Sequence, residues 1–164
     1  MLKHFNTAGP NKPELHYELD PLARIELASV LDLIAQQRYF VLHAPRQTGK
    51  TTCLLALRDY LNSQTNYAAL YINIEGAQAA RNDVASAAQV LVGQLAVQAK
   101  QLLGIEAIEQ QRQILLARGA FEAFTHALRL LSESSSKAMV LFIDEVDSLV
   151  GDTLISLQIG RAHV

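Results

Sequence analysis

Apolar residues change their spacing repeatedly along the chain, and each change marks an element. Tyr39-Phe-Val-Leu42 is a short apolar run that predicts a buried strand. Thr51-Thr-Cys-Leu-Leu-Ala-Leu-Arg-Asp-Tyr-Leu61 places apolar residues at helical spacing, so a helix follows and ends near Asn62-Ser63. Tyr67 to Ile74 is nearly continuous in apolar, β-forming residues, which suits a parallel strand covered on both faces, and Glu75-Gly76 ends it. Asp83 to Leu103 reads as a long Ala/Gln/Val/Leu helix closed by Gly104 as its C-cap. Ile108 to Leu116 predicts another helix. Gly119 to Ser132 predicts one more, with Phe121, Phe124, Leu128 and Leu131 on one face and His126 at its surface. A polar loop over 132–137 leads into Ala138-Met-Val-Leu-Phe-Ile143, a second buried strand. Near the start, Asp20-Pro21 opens a helix with Asp as N-cap and Pro at the first helical position. Leu22, Ile25, Val30, Leu33 and Ile34 carry its apolar face to about Gln37. Met1 to Leu19 has few periodic positions and reads as an irregular arm. Strands and helices that alternate in this way predict a parallel sheet with helices on both faces.

Two stretches carry chemistry. The first is the loop between the Tyr39 strand and the Thr51 helix. A strand, a tight loop ending Gly49-Lys50-Thr51, and then a helix form the layout of a phosphate-binding P-loop. Glycine lets the backbone approach a phosphate, consecutive N–H groups form an anion nest, and the helix adds the positive end of its dipole. Ala44, Pro45, Arg46, Gln47, Thr48, Gly49, Lys50, Thr51 and Thr52 are therefore the candidate nucleotide-binding residues. Lys50 would reach the terminal phosphates, and the Thr51 hydroxyl would ligate Mg²⁺. Ala44 stands where the pattern calls for glycine, so the entry to the loop departs from it. The second stretch is Asp144-Glu145, directly after the Ala138 strand. A buried strand followed by Asp is the Walker B pattern, which delivers a carboxylate to the C-terminal end of the sheet. Asp144 would hold Mg²⁺, and Glu145 would polarise the attacking water. Asp147 reads as a cap or structural carboxylate.

Composition narrows the setting. A chain of 164 residues, half of them hydrophobic, is long enough for one globular domain with a real core. A net charge of −2 offers no support for a strong attraction to nucleic acid, though a local patch stays possible. The one cysteine, Cys53, excludes an internal disulfide and reads as a buried thiol. The chain carries no N-terminal signal pattern and no apolar run long enough for a membrane, so a cytoplasmic protein without a membrane partner is expected.

Together the two motifs resemble the ATPase domains of the AAA+ and STAND group. Phe5-Asn-Thr-Ala-Gly-Pro10 followed by the Tyr39–Thr52 stretch looks like bacterial AAA-like ATP-binding proteins, and Arg24-Ile-Glu-Leu27 is similar to the helix start that precedes the P-loop in STAND and origin-recognition ATPases. The resemblance implies a three-layer α/β/α P-loop NTPase core with a parallel sheet. Lys50 and Glu145 would be its catalytic residues, and Thr51 and Asp144 its Mg²⁺ ligands. It implies Mg-dependent ATP hydrolysis. The alternatives are a STAND-type nucleotide-dependent switch with little turnover and a DNA-transaction ATPase. The preceding arm and helix would pack against adenine or simply cover the sheet edge. No sensor strand, arginine finger or lid follows Walker B in the sequence. Ile159-Gly-Arg-Ala-His-Val164 matches the translation of a common sequencing adapter. Residues 1–158 are thus expected to be the N-terminal part of the ATPase domain, incomplete at its C-terminus, with 159–164 a non-native tail. In such domains a later strand lies between the P-loop and Walker B strands, so both are expected to lack that neighbour here.

Overall fold

The structure, a computed structural model, describes residues 4–5, 12, 14–17, 20–43, 45, 48–75 and 83–145. The expectations placed on Ala44, Arg46, Gln47, Gly76, Asp147, the Phe121 side chain and the 159–164 tail lie outside the described residues. The chain forms two compact units, residues 1–63 and 64–164.

In the first unit, part of the arm is ordered by its own backbone. The His4 N–H donates to the Leu15 carbonyl at 3.0 Å, and the Tyr17 N–H donates to the His4 carbonyl at 3.0 Å. The His4 and His16 rings meet edge-on at 4.9 Å, and Phe5 lies against Tyr17. Asp20 is the N-cap expected of it, its carboxylate accepting from the Leu22 N–H at 2.9 Å. The helix it opens is a single 3-10 turn, Pro21–Arg24, and not the long helix predicted to Gln37. At Ile25 the chain becomes extended (φ −123°, ψ 157°), and helix α1 begins only at Leu27 and runs to Ala35. Isoleucine, branched at Cβ, accepts extended backbone more readily than a helix interior, and the break falls on it. Helix α1 buries Val30 and Ile34, one turn apart. It ends with Gln37 in the left-handed region (φ 55°) and the Arg38 N–H on the Leu33 carbonyl, the closing pattern usually built on glycine.

Tyr39 to Leu42 is not a strand. Its even residues are half-buried, while Tyr39 is 75% and Val41 85% exposed. A strand exists through a ladder with a neighbour, and this segment has none among the described residues. Helix α2, Lys50–Ser63, begins where expected and buries Cys53, Leu54, Leu57 and Leu61 along one side.

The second unit contains β1 (Tyr67–Asn73), α3 (Val84–Gln98), α4 (Ala107–Ala117), α5 (Ala120–Glu133) and β2 (Ala138–Asp144). Strands β1 and β2 pair in parallel, with Tyr67 opposite Ala138 and Asn73 opposite Asp144. Side chains alternate between the two faces of the sheet. Leu70 and Ile72 of β1, with Met139, Leu141 and Ile143 of β2, face the helices. Tyr71, Asn73, Phe142 and Asp144 therefore share the opposite face. Helix α3 packs against β1, α4 and α5, burying Leu91, Val92 and Leu95. The innermost row of α5 is Ala123, Ala127 and Leu131, and the small residues allow a close approach, with Phe124 and Leu128 flanking. After Gln98 the helix loosens into a π turn, Ala99–Leu103, and Gly104 closes it at φ 68° as predicted. Among the described residues the unit is thus mixed α/β, with helices packed against a two-stranded parallel sheet.

Candidate functional site

In the first unit the candidate residues Pro45, Thr48, Gly49, Lys50, Thr51 and Thr52 lie along the approach to α2 and its first turn. The Thr48 hydroxyl donates to the Pro45 carbonyl at 2.7 Å and closes the loop on itself. Gly49 has φ 80°, a conformation that only glycine adopts at little cost. Its carbonyl accepts the Cys53 N–H at 3.0 Å, so Lys50, Thr51 and Thr52 form the opening turn of a 14-residue helix. A helix directs the N–H groups of its first turn, and the positive end of its dipole, out of that terminus. The Arg24 side chain reaches the same place, since its Nη1 lies 2.8 Å from where a Cβ on Gly49 would stand. Its charge also acts on Cys53, whose thiol is pushed up chiefly by burial, with Arg24 opposing.

In the second unit, Asp144 and Glu145 stand at the C-terminal end of β2. Asp144 is 2% exposed. A buried carboxylate needs donors, and two are placed for it. The Glu145 N–H donates to Oδ1 at 3.0 Å, and the Tyr71 hydroxyl donates to Oδ2 at 3.1 Å. Glu145 is half-buried and has φ 59°, which costs a side-chain-bearing residue about 1–2 kcal/mol. Conformations of this kind gather at functional positions. Among the described residues no group of three or more His, Cys, Asp or Glu side chains could cage a metal. Mg²⁺ seldom uses such a cage. It is held through one or two carboxylates together with phosphate oxygens and waters.

Sequence reading missed two participants. Tyr71 looked like one more residue of an apolar strand. Only the register that sets Asn73 opposite Asp144 brings Tyr71, two residues earlier on the same face, within reach of the carboxylate. Arg24 was singled out only as part of the helix start before the loop, and its approach to Gly49 is seen in the structure alone.

Among the described residues, two parallel strands with helices α3, α4 and α5 between them, and a buried aspartate at the end of the second strand, define a mixed α/β chain. The family model described as Nephrocystin 3, N-terminal, matches residues 23–159, and the chain belongs to that family. No curated protein and no solved structure matches it. Among the described residues, no helix is long and apolar enough to cross a membrane.

Proposed function

We propose that the chain binds ATP with Mg²⁺ and hydrolyses it, as an AAA-like P-loop domain built on a three-layer α/β/α core. The observation that carries this reading is the opening of α2. Gly49, at φ 80°, turns the chain into the helix so that Lys50 and Thr51 occupy its first two positions. The parallel pairing of β1 and β2, and a buried Asp144 followed by Glu145, support it. The first turn of α2 binds phosphate oxygens through backbone N–H groups. Lys50 places its ammonium on the terminal phosphates. The Thr51 hydroxyl and the Asp144 carboxylate supply oxygen ligands. Mg²⁺, when bound, neutralises the charge that develops on the phosphates. Glu145 accepts hydrogen bonds from the attacking water and takes up its proton. The work belongs in the cytoplasm, where ATP is abundant.

Titration calorimetry of Mg·ATP against the wild type and Lys50→Ala tests the reading. Binding by the wild type that is lost in Lys50→Ala is the expected result. Equal affinities, or no binding by either protein, would overturn it.

A further inference from the structure

We propose that Tyr71 is a positioning residue for Asp144, holding the carboxylate in the orientation that presents it to a divalent cation. The inference rests on the ATP-and-Mg²⁺ reading above. Its ground is the hydrogen bond from the Tyr71 hydroxyl to Asp144 Oδ2 at 3.1 Å, which joins residues on neighbouring strands. With the Glu145 N–H on Oδ1, each carboxylate oxygen has a donor, so the plane of the group is fixed from both ends. Asp144 is buried, so no solvent shell would restore its orientation if the phenol were lost. Outer-sphere hydrogen bonds of this type orient metal-binding carboxylates, and removing them costs about 10- to 100-fold in metal affinity.

Two effects of the phenol oppose each other. A hydrogen bond to Oδ2 withdraws charge from the carboxylate and weakens its attraction for a cation. Fixed orientation removes the cost of ordering the ligand at binding. The outer-sphere precedent puts orientation ahead, so loss of the hydroxyl is expected to weaken metal binding. Tyr71 also lines an open surface groove, together with Gln94, Gln98 and Arg112. Phenylalanine would preserve that wall and remove only the donor.

The test compares wild type, Tyr71→Phe and Asp144→Asn, with Mn²⁺ as the probe. Electron paramagnetic resonance of free Mn²⁺ reads its binding at saturating ATP, a separate titration measures ATP affinity without metal, and circular dichroism checks folding. The expected result is Mn²⁺ affinity about 10- to 100-fold lower in Tyr71→Phe, with metal-free ATP affinity and dichroism unchanged. Unchanged Mn²⁺ affinity in Tyr71→Phe, beside a wild type that binds Mn²⁺ and ATP and an Asp144→Asn that loses Mn²⁺, would overturn the role of Tyr71 and leave the ATP reading standing. A parallel loss of metal-free ATP binding or of dichroism in Tyr71→Phe would mark Tyr71 as merely structural and also overturn it. Failure of the wild type to bind ATP at all would remove the functional reading, and this inference with it.

Discussion

The Arg24 guanidinium lies over Gly49, with Nη1 2.8 Å from the position that a Cβ there would occupy. Glycine is thus required twice, once by φ 80° and once by this approach. The two requirements differ in cost. A flexible guanidinium can withdraw, whereas left-handed backbone costs a residue with a Cβ about 1–2 kcal/mol. Gly49→Ala should therefore destabilise the protein by about that amount and abolish Mg·ATP binding. Adding Arg24→Ala should recover little of either. Urea unfolding and calorimetry on the single and double variants measure both. Full recovery in the double variant would mean that the contact with Arg24, and not the backbone, makes Gly49 necessary.

Glu145 offers a separation of stability from chemistry. Glu145→Gln keeps the backbone strain and the shape but leaves a poor base, so ATP binding should persist while turnover is lost. Glu145→Gly removes the side chain from a φ of 59° and should stabilise the fold by about 1 kcal/mol, again without turnover. Phosphate release and thermal unfolding on the two variants check this. Wild-type turnover in Glu145→Gln would assign the proton transfer to another group.

What could be read in the sequence is what local chemistry determines. Asp20 is an N-cap as expected, though of a single turn, Gly104 closes the segment that α3 begins, and β2 ends on Asp144, because each depends on neighbours a few residues away. The Tyr39–Leu42 segment misled for the opposite reason. Its composition suits a strand, but a strand also needs a partner, and composition says nothing of whether one is supplied. The break at Ile25 was hidden because Leu22, Ile25 and Val30 fit one helical stripe well enough on paper. The Tyr71–Asp144 bond joins positions 73 residues apart, and no local pattern encodes it.

Asp83 makes one pH dependence predictable. Its carboxyl is held below the ordinary value of 3.8, first by the Ser86 hydroxyl and then by the Ser86 N–H, with the Ala85 N–H adding to them. A depressed acid binds fewer protons in the folded than in the unfolded state, so its stabilisation is present above the ordinary value and fades as pH falls through the folded one. Asp83→Ala should lower the thermal midpoint at pH 7, and the gap to wild type should narrow below pH 3.8. Asp83→Asn, still a capping side chain, should keep most of the midpoint at pH 7. An Asp83→Ala gap that stays constant down to acid pH would mean that the charge of the cap contributes nothing.

Gly93 and Gly104 belong to the same helical segment, and alanine should act on them with opposite sign. A Cβ at Gly104 would meet nothing within 4 Å, so space is not the obstacle, but φ 68° is. Gly104→Ala should cost about 1–2 kcal/mol. Gly93 lies within α3, where glycine is worth about 0.5–1 kcal/mol less than alanine. A Cβ there would stand 2.9 Å from Arg112 Nη2, the far end of a flexible side chain that is 40% exposed. Arg112 can yield by rotating, and what it gives up is a 3.7 Å surface pair with Glu109, typically worth about 0–1 kcal/mol. The propensity gain should prevail, leaving Gly93→Ala neutral to about 0.5 kcal/mol more stable. Urea midpoints at unchanged slope decide both. Marked destabilisation by Gly93→Ala would show that Arg112 is held firmly across α3 and cannot move aside.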